Sequence, residues 1–282
     1  MKLNLDRLAH YPAPARLGIF VLTLLCLWLP FCVPIYWLVR DQNLVNILTL
    51  VILYVEFIVL VQLWGRYVYR QPHLLRNYGL EKTRQNAIDL LKGLSTGILS
   101  QLGLFVLQGL LGWVIWQQPA SVIFLRQVIL EGLIVSLGIG FAEELLFRGW
   151  LLDELHRNCS LKVSLWVDAI LFALLHFIKP LEAILKTWPT FVGLLVLGLT
   201  LVWAKRSRNG RLGLPIGLHA GLVWGFYIIN VGQLVRYSGN VPEWVTGIDR
   251  NPLAGIMGVL CLGTLALTMW TVSRKKTTDE YR

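Results

Sequence analysis

The sequence predicts an all-α, polytopic membrane protein with about eight transmembrane helices, a single membrane domain over residues 1–282. Three observations carry that expectation. Apolar residues make up 56% of the chain and fall in blocks long enough to cross a bilayer, which takes about 20 residues per helix. Charged residues are only 15%, against about 25% in soluble domains. The basic residues sit in short segments between the apolar blocks and alternate in density from one segment to the next, as the positive-inside rule requires.

Taken in order, the first block is Leu17–Leu38, preceded by Lys2, Arg7 and Arg16. It is too long for a signal-peptide core and no small-residue cleavage site follows it, so it reads as a retained span. Leu44–Trp64 is the second span. Residues 65–89, with five Lys or Arg, form a basic loop expected to lie on the membrane surface. Leu90–Trp116 and Val122–Gly149 follow as spans three and four, and Leu161–Ile178, Leu185–Trp203, Leu214–Val231 and Leu253–Val272 complete the set. Backbone polar groups in lipid must be satisfied within their own segment, so each span is read as a helix. With the N-terminus inside, 20 of the 26 Lys and Arg fall on the inner side and six on the outer, which predicts both termini in the cytoplasm. The same distribution explains the net charge of +10 without nucleic acid as a partner; the lipid bilayer is the partner expected. The four cysteines, Cys26, Cys32, Cys159 and Cys261, show neither metal-ligand spacing nor a disulfide framework.

Against this background some residues are out of place. Gly138–Gly149 puts Glu143, Glu144 and Arg148 in an otherwise apolar helix, and a charge at membrane depth costs a few kcal/mol, so it usually marks function. Glu144 and Arg148 are four apart, on one helix face and in the favourable order, and their pairing leaves Glu143 as the free carboxylate. A carboxylate held in apolar surroundings is a candidate general base. For the Glu144–Arg148 pair alone, a structural ion pair near the membrane interface is an equal reading. His176 closes Phe172–His176 and His219 lies early in the seventh span. A lone helical histidine is more often packed than catalytic, but spacing sets these two at the depth of the carboxylates. With the turn at Asn158–Ser160, Glu143 and His176 both lie roughly 25 Å from it along their helices, so an antiparallel hairpin sets them side by side. His219, six residues past Gly213, is about 9 Å from the cytoplasmic end of its span. Because Glu143 and Glu144 point about 100° apart, only one of them is expected to join a given site.

Glu-Glu-x-x-x-Arg, then Phe-x-x-x-His, then a histidine in a later span resembles the CAAX protease and bacteriocin-processing family (Abi family) of intramembrane endopeptidases, also called type II CAAX prenyl proteases. The resemblance covers a core of about residues 122–231. It implies hydrolysis of a peptide bond in a membrane-associated peptide or protein, in a cell membrane or a thylakoid or plastid membrane. It implies that Glu143 activates the attacking water with His176, that Glu144 and Arg148 hold the geometry, and that His219 stabilises the oxyanion. On cofactors it leaves two versions. One is zinc held by Glu143, His176 and His219; the other, slightly favoured, is a metal-free glutamate–histidine mechanism. The His-Glu-x-x-His zinc signature is absent. One position departs from the family pattern: four residues after the last histidine, where the family has Asn or Asp, stands Val223. Losing one oxyanion donor costs about 3 kcal/mol of transition-state stabilisation. Asn230, some 16 Å further along the helix, is no substitute.

Two other classes compete. A non-catalytic membrane scaffold or immunity protein would keep the fold without hydrolysis, and Val223 favours it. A transporter would use Glu143 as a proton relay, but the sequence has no inverted repeat and its polar groups cluster near one face.

Overall fold

The computed structural model describes the backbone of residues 5–279 and the side chains of residues 7–275. Lys2 and Arg282 of the charge count lie outside the described residues, as does the side chain of Lys276. A short 3-10 turn, Leu5–His10, leads into helix α1 (Ala13–Leu38), followed by α2 (Gln42–Tyr67), α3 (Leu74–Asn77) and α4 (Arg84–Leu110). A strand β1 (Val114–Trp116) precedes α5 (Val122–Glu144), which passes through a π-helical segment, Leu145–Leu151, into α6 (Leu152–His156). Then come α7 (Leu161–Leu175), α8 (Leu181–Thr187), α9 (Thr190–Arg206) and α10 (Gly213–Val231). Strand β2 (Val235–Tyr237) pairs antiparallel with β1, and α11 (Glu243–Thr246) leads to the last helix, α12 (Ile256–Asp279).

The protein is an all-α membrane fold. Six of its helical segments are long and apolar enough to cross a membrane, and the α8–α9 pair makes a seventh if its two parts count as one span. Much of the apolar surface faces outward, with Trp37, Leu110 and Ile123 each at least 80% exposed. Water would not tolerate such a surface over so many residues, and lipid requires it.

The expected spans differ from the observed elements at three places, each with a local cause. The third ends at Leu110 and the chain turns at Gly112, whose φ is +72°, so residues 114–116 form β1 and not helix. The fifth stops at Leu175 with His176 as its C-cap, because Pro180 disfavours helical geometry in the residue before it. At 15 residues, α7 is only about 22 Å long. The sixth is broken at Trp188–Pro189, where α8 and α9 meet at 76°. Of the basic residues assigned to solvated flanks, Arg16 is 2% exposed. Its guanidinium donates to Glu154 at 2.9 Å and to Asn158 Oδ1 at 2.7 Å, tying the start of α1 to the α6–α7 turn.

Two packing devices set the site's frame. Along α4 and α10, a Cβ at Gly93, Gly97, Gly217 or Gly221 would collide with the opposing backbone. Glycines on both helices therefore let them approach at main-chain distance, as small residues do between membrane helices. Gly93 faces Leu214–Leu218, Gly97 faces Leu218–Leu222 and Gln101 faces Gly225, so the two helices run parallel. On the other side, Phe20 of α1 stacks against Trp150 of the π segment at 4.6 Å and against Trp64 of α2 at 5.4 Å. This aromatic cluster clamps the α1–α2 hairpin onto the segment that follows Glu144.

Candidate active site

Glu143 and Glu144 end α5, immediately before the π-helical segment. π-helical turns are rare and recur at functional sites. One turn earlier, Gly140 meets Ile216 and Ala220 of α10 so closely that a Cβ would lie 2.9 Å from Ile216 O. That approach brings Glu144, on the same face, to His219.

His219 sits between both carboxylates. Its Nδ1 is 2.9 Å from Glu144 Oε1 and its Nε2 is 3.9 Å from Glu143 Oε2. The expectation that only one glutamate can join a given site is corrected here. The side chains do diverge, but an imidazole has a nitrogen on each side and its ring spans the gap. His176 approaches from α7, with Nε2 3.7 Å from Glu143 Oε2. Its Nδ1 is 2.7 Å from Phe172 O. A carbonyl only accepts, so Nδ1 carries the proton and donates to it. The ring also rests on Phe172, centroids 4.7 Å apart. Glu143 Oε2 is shielded from solvent and makes no hydrogen bond to any described residue.

Beneath this lies a charged layer with no exposure. Arg148 donates to Glu144 Oε1 at 3.1 Å and to Gly198 O at 3.1 Å. Its Nε lies 3.5 Å from Asp168 Oδ2, and the three charged side chains are all 0% exposed. The guanidinium also stacks over Phe172 at 4.3 Å. Lys205 Nζ donates to Arg148 O at 2.6 Å, satisfying a carbonyl in the π segment. Asp168 and Lys205 are additions to the residues read from sequence. Asp168 carried a signal of its own, a carboxylate inside the apolar block 161–178. Lys205 carried none, since it ends a span where a basic flank is expected.

The five residues singled out in the sequence, Glu143, Glu144, Arg148, His176 and His219, thus form one connected cluster. Val223, one turn past His219 on α10, lines a small cavity beside it. Set against a zinc site, the cluster is somewhat wider than a tetrahedral ion requires. Ligand atoms about 2.0 to 2.1 Å from a tetrahedral ion lie roughly 3.3 Å from one another, whereas Glu143 stands 3.7 and 3.9 Å from the two Nε2 atoms. No group of three or more His, Cys, Asp or Glu among the described residues is disposed to hold a metal ion.

The fold and the site together define a polytopic helical membrane protein with carboxylates and imidazoles gathered on three of its helices. Residues 125–225 match the family model described as type II CAAX prenyl endopeptidase, Rce1-like, so that segment, which holds all five clustered residues, is similar to the CAAX-processing intramembrane endopeptidases. No curated protein and no solved structure matches the chain.

Proposed function

We propose that this protein is an intramembrane endopeptidase that cleaves a membrane-associated peptide or protein by glutamate–histidine chemistry. The observation that carries the reading is Glu143 Oε2, without a hydrogen bond, 3.7 Å from His176 Nε2 and 3.9 Å from His219 Nε2. A water held by Glu143 and His176 sits at ordinary hydrogen-bond distance, about 2.8 Å, from both. Glu143 accepts its proton while the oxygen lone pair forms the new bond to the scissile carbonyl carbon. The carbonyl π pair moves onto oxygen, where His219 donates from Nε2. With Nδ1 turned to Glu144 Oε1 at 2.9 Å, Nε2 is the His219 nitrogen that faces Glu143 and the reacting carbonyl. When the intermediate collapses, the C–N bond breaks and the proton on Glu143 passes to the leaving nitrogen, giving an acid and an amine.

Arg148 and Asp168 act through Glu144 and touch no reacting atom. Zinc held by Glu143, His176 and His219 enters no step. The basic-residue asymmetry supports a cytoplasmic position for both termini.

The test is cleavage of a lipid-anchored, internally quenched peptide by purified protein in lipid nanodiscs, with metal content measured on the same sample. Glu143→Gln should lower kcat by at least about 10²-fold, the low end for loss of a general base, with little change in KM. Stoichiometric zinc whose removal abolishes cleavage would overturn the metal-free mechanism. Val223 supports the second reading, a scaffold without hydrolysis. That reading gains if wild type and Glu143→Gln are equally inert while the wild type still retains the peptide.

A further inference from the structure

Beside His219, between α4, α9, α10 and α12, lies a cavity of about 120 Å³ whose walls include Leu104, Leu222 and Val223. It is somewhat smaller than the ~150 Å³ engineered cavity that admits benzene, so it accepts one apolar side chain and not a long lipid tail. Its polar lining is short, and nearly all of it is engaged. His219 bonds Glu144, Asn251 Oδ1 accepts from Leu253 N at 3.0 Å, and Cys261 Sγ donates to Ser100 O at 3.8 Å. Gln101 differs. It is 8% exposed and lines the cavity, and its side-chain amide makes no hydrogen bond to any described residue. Its amide atoms are not sealed off like the orphaned amide of Gln108; they stay open to a partner in the cavity, whose wall Gln101 shares with His219.

We infer that Gln101 is a substrate-positioning residue, whose side-chain amide hydrogen-bonds the main chain of the bound peptide two to three residues from the scissile bond. The inference rests on the endopeptidase reading above and adds a residue to it. The register of the α4–α10 pair supplies the spacing. Gln101 packs against Gly225, six residues beyond His219 on α10. That is about 9 Å along the helix axis, or two to three residues of extended chain at about 3.3 Å each. The chemistry supplies the partner. A peptide that threads between apolar walls loses water from its own N–H and C=O groups, and these need partners. A carboxamide is both donor and acceptor and matches a peptide group on both counts. The adjoining cavity then takes a neighbouring apolar side chain of the same substrate.

The probe is the lipid-anchored quenched peptide, its cut site located by mass spectrometry, together with versions N-methylated singly at the second and third residues on either side. In the wild-type protein, N-methylation at one of these positions should raise KM by about ten-fold with kcat held, as loss of one buried hydrogen bond does. Gln101→Met keeps the unbranched shape against Gly225 and removes the amide. It should raise KM for the parent peptide similarly and become indifferent to the methyl group. Gln101→Glu keeps an acceptor but adds charge, and serves as a second variant if the methionine protein proves unstable. An equal methylation penalty in wild type and variant would overturn the inference, as would a variant that changes kcat and leaves KM alone. If wild type and Glu143→Gln are both inert, the endopeptidase reading itself fails, and if both cleave alike, the role of Glu143 fails; either result is independent of the behaviour at Gln101.

Discussion

Arg148 ties three helices together. It lies in the π segment, pairs with Glu144 at the end of α5 and Asp168 on α7, and donates to the Gly198 carbonyl of α9, all without exposure to solvent. Removing one partner from such a buried cluster strands the others, at about 3–5 kcal/mol, whereas removing both charges of a pair costs much less. Arg148→Met should therefore destabilise the protein strongly. Asp168→Asn in the same chain should restore part of the loss, giving a coupling energy of at least about 1 kcal/mol in a double-mutant cycle of denaturation in detergent. Additive effects would show that the 3.5 Å approach carries no energy. Part of this cluster is legible in the sequence. The i,i+4 spacing pairs Glu144 with Arg148, and equal distances from one turn bring His176 to Glu143. The Arg148–Asp168 pairing is not legible, because it depends on how α5 and α7 are rotated about their axes, and residue spacing along the chain carries no such information. Arg16 shows the opposite error. It reads as a solvated flank of a span, but the Glu154 carboxylate of α6 draws it into the protein.

At the scale of elements, the site depends on the close approach of α10 to both α4 and α5. That approach needs bare backbone at Gly217, where a Cβ would collide with Leu90 O. Gly217→Val should push α4 away from α10 and shift His219 relative to Glu144. The expected cost is at least about 1–3 kcal/mol of stability from overpacking, with a fall in peptide cleavage beyond the loss of folded protein. Gly103, on the same helix α4, has nothing within 4 Å of a built Cβ, so Gly103→Ala should melt no lower than the wild type. If both variants melt alike, the helices do not depend on this contact. The long helices could be read from the sequence because a bilayer imposes a length that apolar composition reveals. The break between α8 and α9 at Trp188–Pro189 could not, since mean hydropathy is blind to a change of direction inside an apolar block. The π segment is equally invisible, because its residues Leu145–Leu151 have the same composition as the α-helix before it.

For the molecule as a whole, the parallel run of α4 and α10 constrains the path of the chain. Two parallel helices joined through the membrane need an odd number of passes between them. α5, α7 and the bent α8–α9 pair supply three, even though α7 is only 15 residues long. The loop around α3 and the loop after β2 should then lie on opposite sides of the bilayer. The basic residues choose which side is which: residues 65–89 are rich in Lys and Arg, and the segment around β2 has few. Asn77 and Asn240 are exposed and stand in these two loops. In a background without the four native cysteines, Asn240→Cys should react with a membrane-impermeant maleimide added to intact cells. Asn77→Cys should react only after the membrane is opened. Labelling of both from one side would contradict three passes between α4 and α10. Labelling of Asn77→Cys alone from outside would keep the fold and invert it, moving the peptide-bond chemistry proposed for Glu143 to the opposite leaflet.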